Sequence, residues 1–261
     1  MIPAATNSLS RDWDDLFVGR MKELERIRSE LAAGHNLVLT GPFGIGRTTL
    51  LRHLARGLKP ELRFIFFEGS QTPGQICEQL LVDGSSVKPT ARKRTLPWKI
   101  ERHRLESRKD RDPRPVVLVL DDVAKVTPPK LDFIHWLHGL HRYRIIAVTE
   151  RFLPEKSLMH LRSALYPAPM VALGPLSAGM AQRFFEAWAV RHGLNWGPDI
   201  IHGLVLATRG YPTGMWEAAR DAMKNQSGLG SVDLQRHEGT QLGGGVDWAG
   251  SGQAEDQSMN P

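Results

Sequence analysis

The chain has 261 residues, enough for one large domain or two small ones with ample core. Its apolar content of 41% and charged content of 24% are those of an ordinary globular protein; no apolar run reaches membrane-spanning length, and Cys77, the sole cysteine, excludes an internal disulfide framework or a multi-cysteine metal site. The net charge of +6 is concentrated, because residues 88–114 hold eleven Lys and Arg against four acids and leave the remainder close to neutral.

Residues 1–13 read as a flexible leader without the basic and apolar regions of a secretory signal, so a cytoplasmic location with no membrane contact is expected. Phe17-Val-Gly-Arg20 precedes a helix over 21–32, in which Leu24, Ile27 and Leu31 recur at helical spacing and Gly34 supplies a stop. The apolar strand 35–40 runs into Gly41-Pro-Phe-Gly-Ile-Gly-Arg47-Thr48-Thr49, followed by a helix over 48–57. A second strand over 62–67, a helix over 73–81 and the continuous apolar, β-branched-rich strand 116–120, ending in Asp121-Asp122, come next. A helix over 131–140, a strand over 144–149 and a short strand over 170–173 complete the alternation, which predicts a doubly wound α/β domain with a parallel sheet over 14–174, carrying a basic insertion at about 86–114. After Gly174 only helices are expected, over 177–192, 198–208 and 212–223, forming a small helical lid at 175–224. Residues 225–261, rich in Gly, Ser, Gln and Asp, read as a disordered tail.

The segment 41–49 matches the phosphate-cradling pattern G-x-x-x-x-G-K-[ST] at every fixed position except Arg47. Gly41, Gly44 and Gly46 let the backbone turn tightly around Ile45 and aim N–H groups at phosphate oxygens. The helix starting at Thr48-Thr49 adds unpaired N–H groups and a favourable dipole. Thr48 stands where a hydroxyl meets Mg²⁺. Asp121 is the candidate for holding the metal and Asp122 for orienting the attacking water. Thr149, at the end of its strand, is a candidate for sensing the terminal phosphate or orienting water. Arg151 has two readings, the same phosphate or an ion pair with Glu150 or Glu155. Arg47 keeps the positive charge of lysine, but guanidinium is wide and planar, so binding with a misplaced transferring phosphoryl is one reading and working catalysis the other.

The basic stretch also has two readings. One is a solvated helix with its connecting loop. The other is a nucleic-acid contact with Arg92, Lys93, Arg94, Arg102, Arg104, Arg108 and Lys109 on phosphates and Trp98 available for stacking. The ten histidines show no zinc-binding spacing. Phe184, Phe185 and Trp188 read as core of the lid, and Cys77 as a small buried residue.

Taken in order, Phe17–Arg20, the phosphate loop, Val116–Asp122, Ala147-Val-Thr149, Val171–Ser177 and Thr208-Arg-Gly-Tyr-Pro212 resemble the AAA+/STAND class of P-loop ATPases over roughly residues 14–223. The resemblance implies a three-layer P-loop fold of the ASCE type. It also implies ATP with Mg²⁺ as ligands, adenine contacts from Val18 and Gly19, and Pro212 of the lid placed on the base. An ATP-dependent switch with slow hydrolysis is then the leading function, with self-association or a protein partner. The alternatives are a catalytically inactive nucleotide-binding scaffold and a DNA-associated ATPase of the transposition or DNA-processing type. Arg47 for lysine and Asp122 for the more usual glutamate are departures from that class.

Overall fold

The structure, a computed structural model, describes residues 16–83, 98–107, 112–150 and 152–236. Helix α1 (Met21–Ala32), strand β1 (Leu37–Gly41) and helix α2 (Arg47–Gly57) form the first unit of the alternation. Strand β2 (Arg63–Glu68), helices α3 (Pro73–Asp83) and α4 (Trp98–Glu106) and strand β3 (Val116–Asp121) follow. Helix α5 (Pro128–Gly139), strand β4 (Tyr143–Glu150), helix α6 (Glu155–Ala164) and strand β5 (Met170–Ala172) complete the sheet. Helices α7 (Ala178–His192), α8 (Pro198–Thr208) and α9 (Pro212–Arg236) come after it.

The five strands lie in the order β2-β3-β4-β1-β5, and every adjacent pair is parallel. Strand β4 is inserted between β1 and β3, with Thr149 beside Thr40 and Leu118 beside Ile145. This inserted strand is the mark of the ASCE arrangement expected from the sequence.

Alternate residues of each central strand enter two separate cores, as the period-2 pleat requires. Leu118 and Leu120 of β3 pack with Ile145, Phe67, Ile76, Phe133 and Leu137 on one face. Val117 and Val119 pack with Leu39, Val148, Ile27, Leu50 and Leu54 on the other. A helical layer therefore covers each face, with α3, α5 and α6 on one side and α1 and α2 on the opposite one. Cys77 is fully buried in the first of these cores. Asn36, 2% exposed, ties three elements at their ends: its Nδ2 donates to Leu165 O at 2.8 Å, and its Oδ1 accepts from Ile145 N at 2.8 Å.

Two elements differ from the sequence expectation. Helix α6 occupies a stretch to which the sequence reading assigned no element; its buried Leu161 and the following Leu165 anchor it. Helix α9 runs to Arg236 rather than ending at Met223, although Gly228 and Gly230 disfavour helix by about 1 kcal/mol each. The segment expected as a tail from 225 therefore begins within this helix, and residues 237–261 lie outside those described. Of the basic insertion, residues 84–97 and 108–111 also lie outside the described residues. In the remainder, α4 buries Leu105, while Arg114 Nη2 contacts Asp112 at 2.5 Å and its Nη1 donates to Lys59 O at 2.6 Å. The Arg114 guanidinium holds the Asp112 carboxyl far below the usual carboxylate range.

The residues up to Arg220 form one compact unit and those from Asp221 a second, in which the backbone is helical to Arg236. Among the described residues, no helix is long and apolar enough to cross a membrane.

Replacing Asn36 by leucine leaves the Ile145 N–H and the Leu165 carbonyl buried without this partner. Urea denaturation should show a loss of about 2–3 kcal/mol relative to the wild-type protein.

Candidate functional site

All strands point the same way, so β1, β3 and β4 end at one edge of the sheet. That edge carries the glycine loop, Asp121-Asp122 and Thr149-Glu150. Within the loop, Gly44 and Gly46 hold φ values of 73° and 87°, a left-handed region that only glycine occupies readily. Gly41 ends β1, Ile45 is fully buried behind the loop, and α2 starts directly after Gly46. The first N–H groups of α2 thus face the concave side of the loop, a geometry suited to an anion.

Thr48 and Asp121 meet at the base of the loop, with Thr48 Oγ1 donating to Asp121 Oδ2 at 2.8 Å. A hydroxyl and a carboxylate brought together are hard oxygen donors, the donor set that suits Mg²⁺. Arg47 is bound to the protein itself. Its Nη1 donates to Gly41 O at 3.0 Å and Thr149 O at 2.6 Å, and its Nη2 donates to the Glu150 carboxylate at 3.2 Å.

Asp122 adopts φ 58°, a left-handed turn that aspartate tolerates better than most residues. The turn swings the chain out of β3, and Val123 N then donates to Val148 O at 2.8 Å. Beside it, Gly69 N donates to Asp121 O, and buried Lys130 donates through Nζ to Gly69 O. Burial pushes the Lys130 ammonium below its ordinary value. Asp121, Asp122, Glu68, Lys125 and Lys130 line a cleft of about 540 Å³ at this end of the sheet. Thr149 is fully buried, and among the described residues its Oγ1 has no hydrogen-bond partner. The structure thus places Thr149 next to the Arg47 guanidinium through its carbonyl, with its hydroxyl left over.

A second, mainly apolar crevice opens on the other side of the loop. Val18, Ile45, Gly46, Thr49 and Pro212 line it together with Leu16, Phe17, Arg20, Leu176, Phe184 and Trp216. Phe17 stacks on His53 of α2, with ring centroids 4.0 Å apart. Gly19 lies against Leu176 and Met180, and Arg20 donates to Gly174 O at 2.6 Å, so the Phe17–Arg20 segment is anchored to the start of the C-terminal helices. Thr213, next to Pro212, ties α9 to the loop, its N and Oγ1 donating to Gly44 O at 3.2 and 3.1 Å.

Sequence reasoning missed three participants. Trp216 stands one helical turn after Pro212 and so shares its face, a spacing that could have revealed it. Glu150 was read only as a partner for Arg151, which lies outside the described residues. Lys130, behind Pro128-Pro129 on α5, carries no local signal at all.

Comparison with known proteins bears on the fold. Residues 32–154 match the family model described as AAA domain. The cytochrome c biogenesis ATP-binding export protein CcmA of Rhodobacter capsulatus is 59% identical over 51 residues, covering 19% of this chain and 23% of that protein. The protein of the same name from Rhizobium johnstonii is 48% identical over 48 residues, 18% of this chain and 22% of its own. The chain therefore spans under a quarter of the length of these curated relatives. Among solved structures, the Aeropyrum pernix ORC1 protein in complex with DNA superimposes with a TM-score of 0.63 at 18% identity, covering 82% of this chain and 62% of that one. The Thermotoga maritima RuvB Holliday junction branch migration motor gives 0.56 at 15% identity, covering 85% and 68%. Both likenesses carry the fold alone.

Close backbone approaches hold the two crevices in shape. A Cβ on Gly69 would collide with Asp122 O, and one on Gly210, at φ 73°, with Leu176 O. Gly69→Ala and Gly210→Ala should each lower stability by about 2–4 kcal/mol in urea unfolding. Gly139→Ala, where a Cβ meets open space, should leave it within about 0.5 kcal/mol.

Proposed function

We propose that this chain, which carries an AAA+ P-loop ATPase domain, is an ATP-dependent molecular switch of STAND-like type with slow hydrolysis. The observation that carries the reading is the Thr48–Asp121 contact beneath the glycine loop, flanked by an apolar crevice of adenine-accepting character. Loop N–H groups from Gly41, Gly44, Ile45, Gly46, Arg47, Thr48 and Thr49 are assigned to the phosphates. Val18, Gly19, Pro212 and Trp216 are assigned to the base, with flat apolar faces available for stacking. Thr48 and Asp121 would hold Mg²⁺, which supplies charge neutralisation at the phosphates when bound. Asp122, exposed on the cleft side of the metal pair, orients water, and the spare hydroxyl of Thr149 reports on the terminal phosphate.

Helices α7–α9, up to Arg220, serve as the lid. Thr213 holds Gly44 O through two bonds, so a ligand that reshapes the loop also changes the footing of this lid. That coupling is the switch. We place the protein in the cytoplasm, with self-association or a protein partner reading the lid position.

One observation favours a second reading, the catalytically inactive nucleotide-binding scaffold: Arg47 spends its guanidinium on three acceptors of the protein itself. The DNA-associated alternative draws on the ORC1 neighbour described in complex with DNA and on the charge of residues 88–114. It predicts DNA binding that weakens steeply with salt.

Mg²⁺-ATP binding and turnover test the main reading. The wild-type protein should bind ATP and hydrolyse it slowly, and Asp121→Asn should reduce turnover about 100-fold or more. Trp216→Ala should weaken ATP binding about ten-fold by removing the stacking surface. Binding without turnover, restored to turnover by Arg47→Lys, would select the scaffold. Absence of binding in both proteins would overturn either nucleotide reading.

A further inference from the structure

The phosphate loop holds an arginine whose two terminal nitrogens already bond the protein itself, and one of the three acceptors is a carboxylate. Arg47 opens α2, and a helical side chain leans toward the N-terminus of its helix, back over the ends of the strands. Glu150 lies beside Gly41 in the parallel register of β4 and β1. The guanidinium fork spans both strand ends: Nη1 bonds Gly41 O and Thr149 O, and Nη2 bonds Glu150 Oε1 at 3.2 Å. The Arg47 side chain is only 10% exposed, and that of Glu150 is 34% exposed, so water screens the pair incompletely. A lysine, with one nitrogen, lacks the planar fork that reaches Gly41 O and Thr149 O from Nη1 and Glu150 from Nη2.

We infer that Glu150 is an internal competitor for the phosphates, holding Arg47 in a self-bonded position from which a polyanionic nucleotide must draw it. This rests on the reading of the loop as a nucleotide site. Two effects act in the same direction. Engaging a phosphate with Arg47 breaks its charge-assisted bond to Glu150. The released carboxylate then sits at the loop's end as a like charge to the incoming phosphates. Glu150 therefore sets the affinity of the loop downward while stapling β1 to β4 in the nucleotide-free protein. A residue with a purely structural role would lower stability and affinity together when neutralised. A competitor lowers stability and raises affinity.

The test titrates the full chain with N-methylanthraniloyl-ATP and Mg²⁺, comparing wild type with Glu150→Gln and Glu150→Ala, and repeats the Glu150→Gln comparison in an Arg47→Ala background. Glu150→Gln should bind the analogue about five- to ten-fold tighter, with the Glu150→Ala gain at least as large. The nucleotide-free melting temperature should fall. In the Arg47→Ala background the gain should shrink to about two-fold or less, since only like-charge repulsion remains. Unchanged or weaker binding in Glu150→Gln, or an equal gain without Arg47, would overturn the competitor role while leaving the nucleotide site standing. No binding in the wild type but binding in Glu150→Gln would support the role in its strongest form. No binding in any of the proteins would overturn both the role and the nucleotide reading.

Discussion

Double-sided burial of three parallel strands is the constraint on which everything else in this molecule rests. Strands β1, β3 and β4 each send alternate side chains into two separate cores, and none has a solvated face. Hydrophobic burial on that scale holds the strands in one register, and a register shift of a single residue would exchange the two cores. Parallel register then brings all the strand ends to one edge. The meeting of Thr48 with Asp121, and of Arg47 with Thr149 and Glu150, follows from that alignment across chain separations of 73 and about a hundred residues.

Strand β4, inserted between the loop strand and the acid-tipped strand, gives the site its particular chemistry. It spaces Asp121 away from β1 and places Thr149 and Glu150 next to Gly41. In most loops of this pattern a lysine would stand at position 47 as a compact point charge. Arginine at the same place is long and forked enough to engage the neighbouring strand, so the substitution alters the resting state of the loop as well as its ligand contacts. On the far side, the anchoring of Arg20 to Gly174 O and of Thr213 to Gly44 O links the apolar crevice to the C-terminal helices. The glycine loop and the start of α9 are thereby joined directly through Thr213.

Much of this was legible in the sequence because the signals were local. Val116–Leu120 is a continuous apolar run rich in valine, the loop is a dense motif, and Phe17–Arg20 precedes an amphipathic helix. Thr48, Ile45 and Asp121 could be brought together from the loop motif and the acid-tipped strand, and Val18 and Pro212 from the family resemblance. What stayed hidden depends on distant contacts. The Arg47–Glu150 pair is set by strand insertion, which periodicity does not report. Lys130 is buried and donates to Gly69 O, a residue 61 positions away. Helix α6 and the full length of α9 were missed for the opposite reason: their local signals are weak, with Gly228 and Gly230 arguing against the helix that forms.

The central claim is that adenine lies in the crevice between Phe17–Arg20 and the start of α9. Photolabelling of the intact protein with 8-azido-ATP and Mg²⁺, followed by peptide mapping, tests it most directly. The account predicts that the label falls on peptides containing Leu16–Arg20 or Pro212–Trp216 and that excess ATP suppresses it. Label elsewhere that ATP suppresses equally, or no ATP-protected label at all, would contradict it.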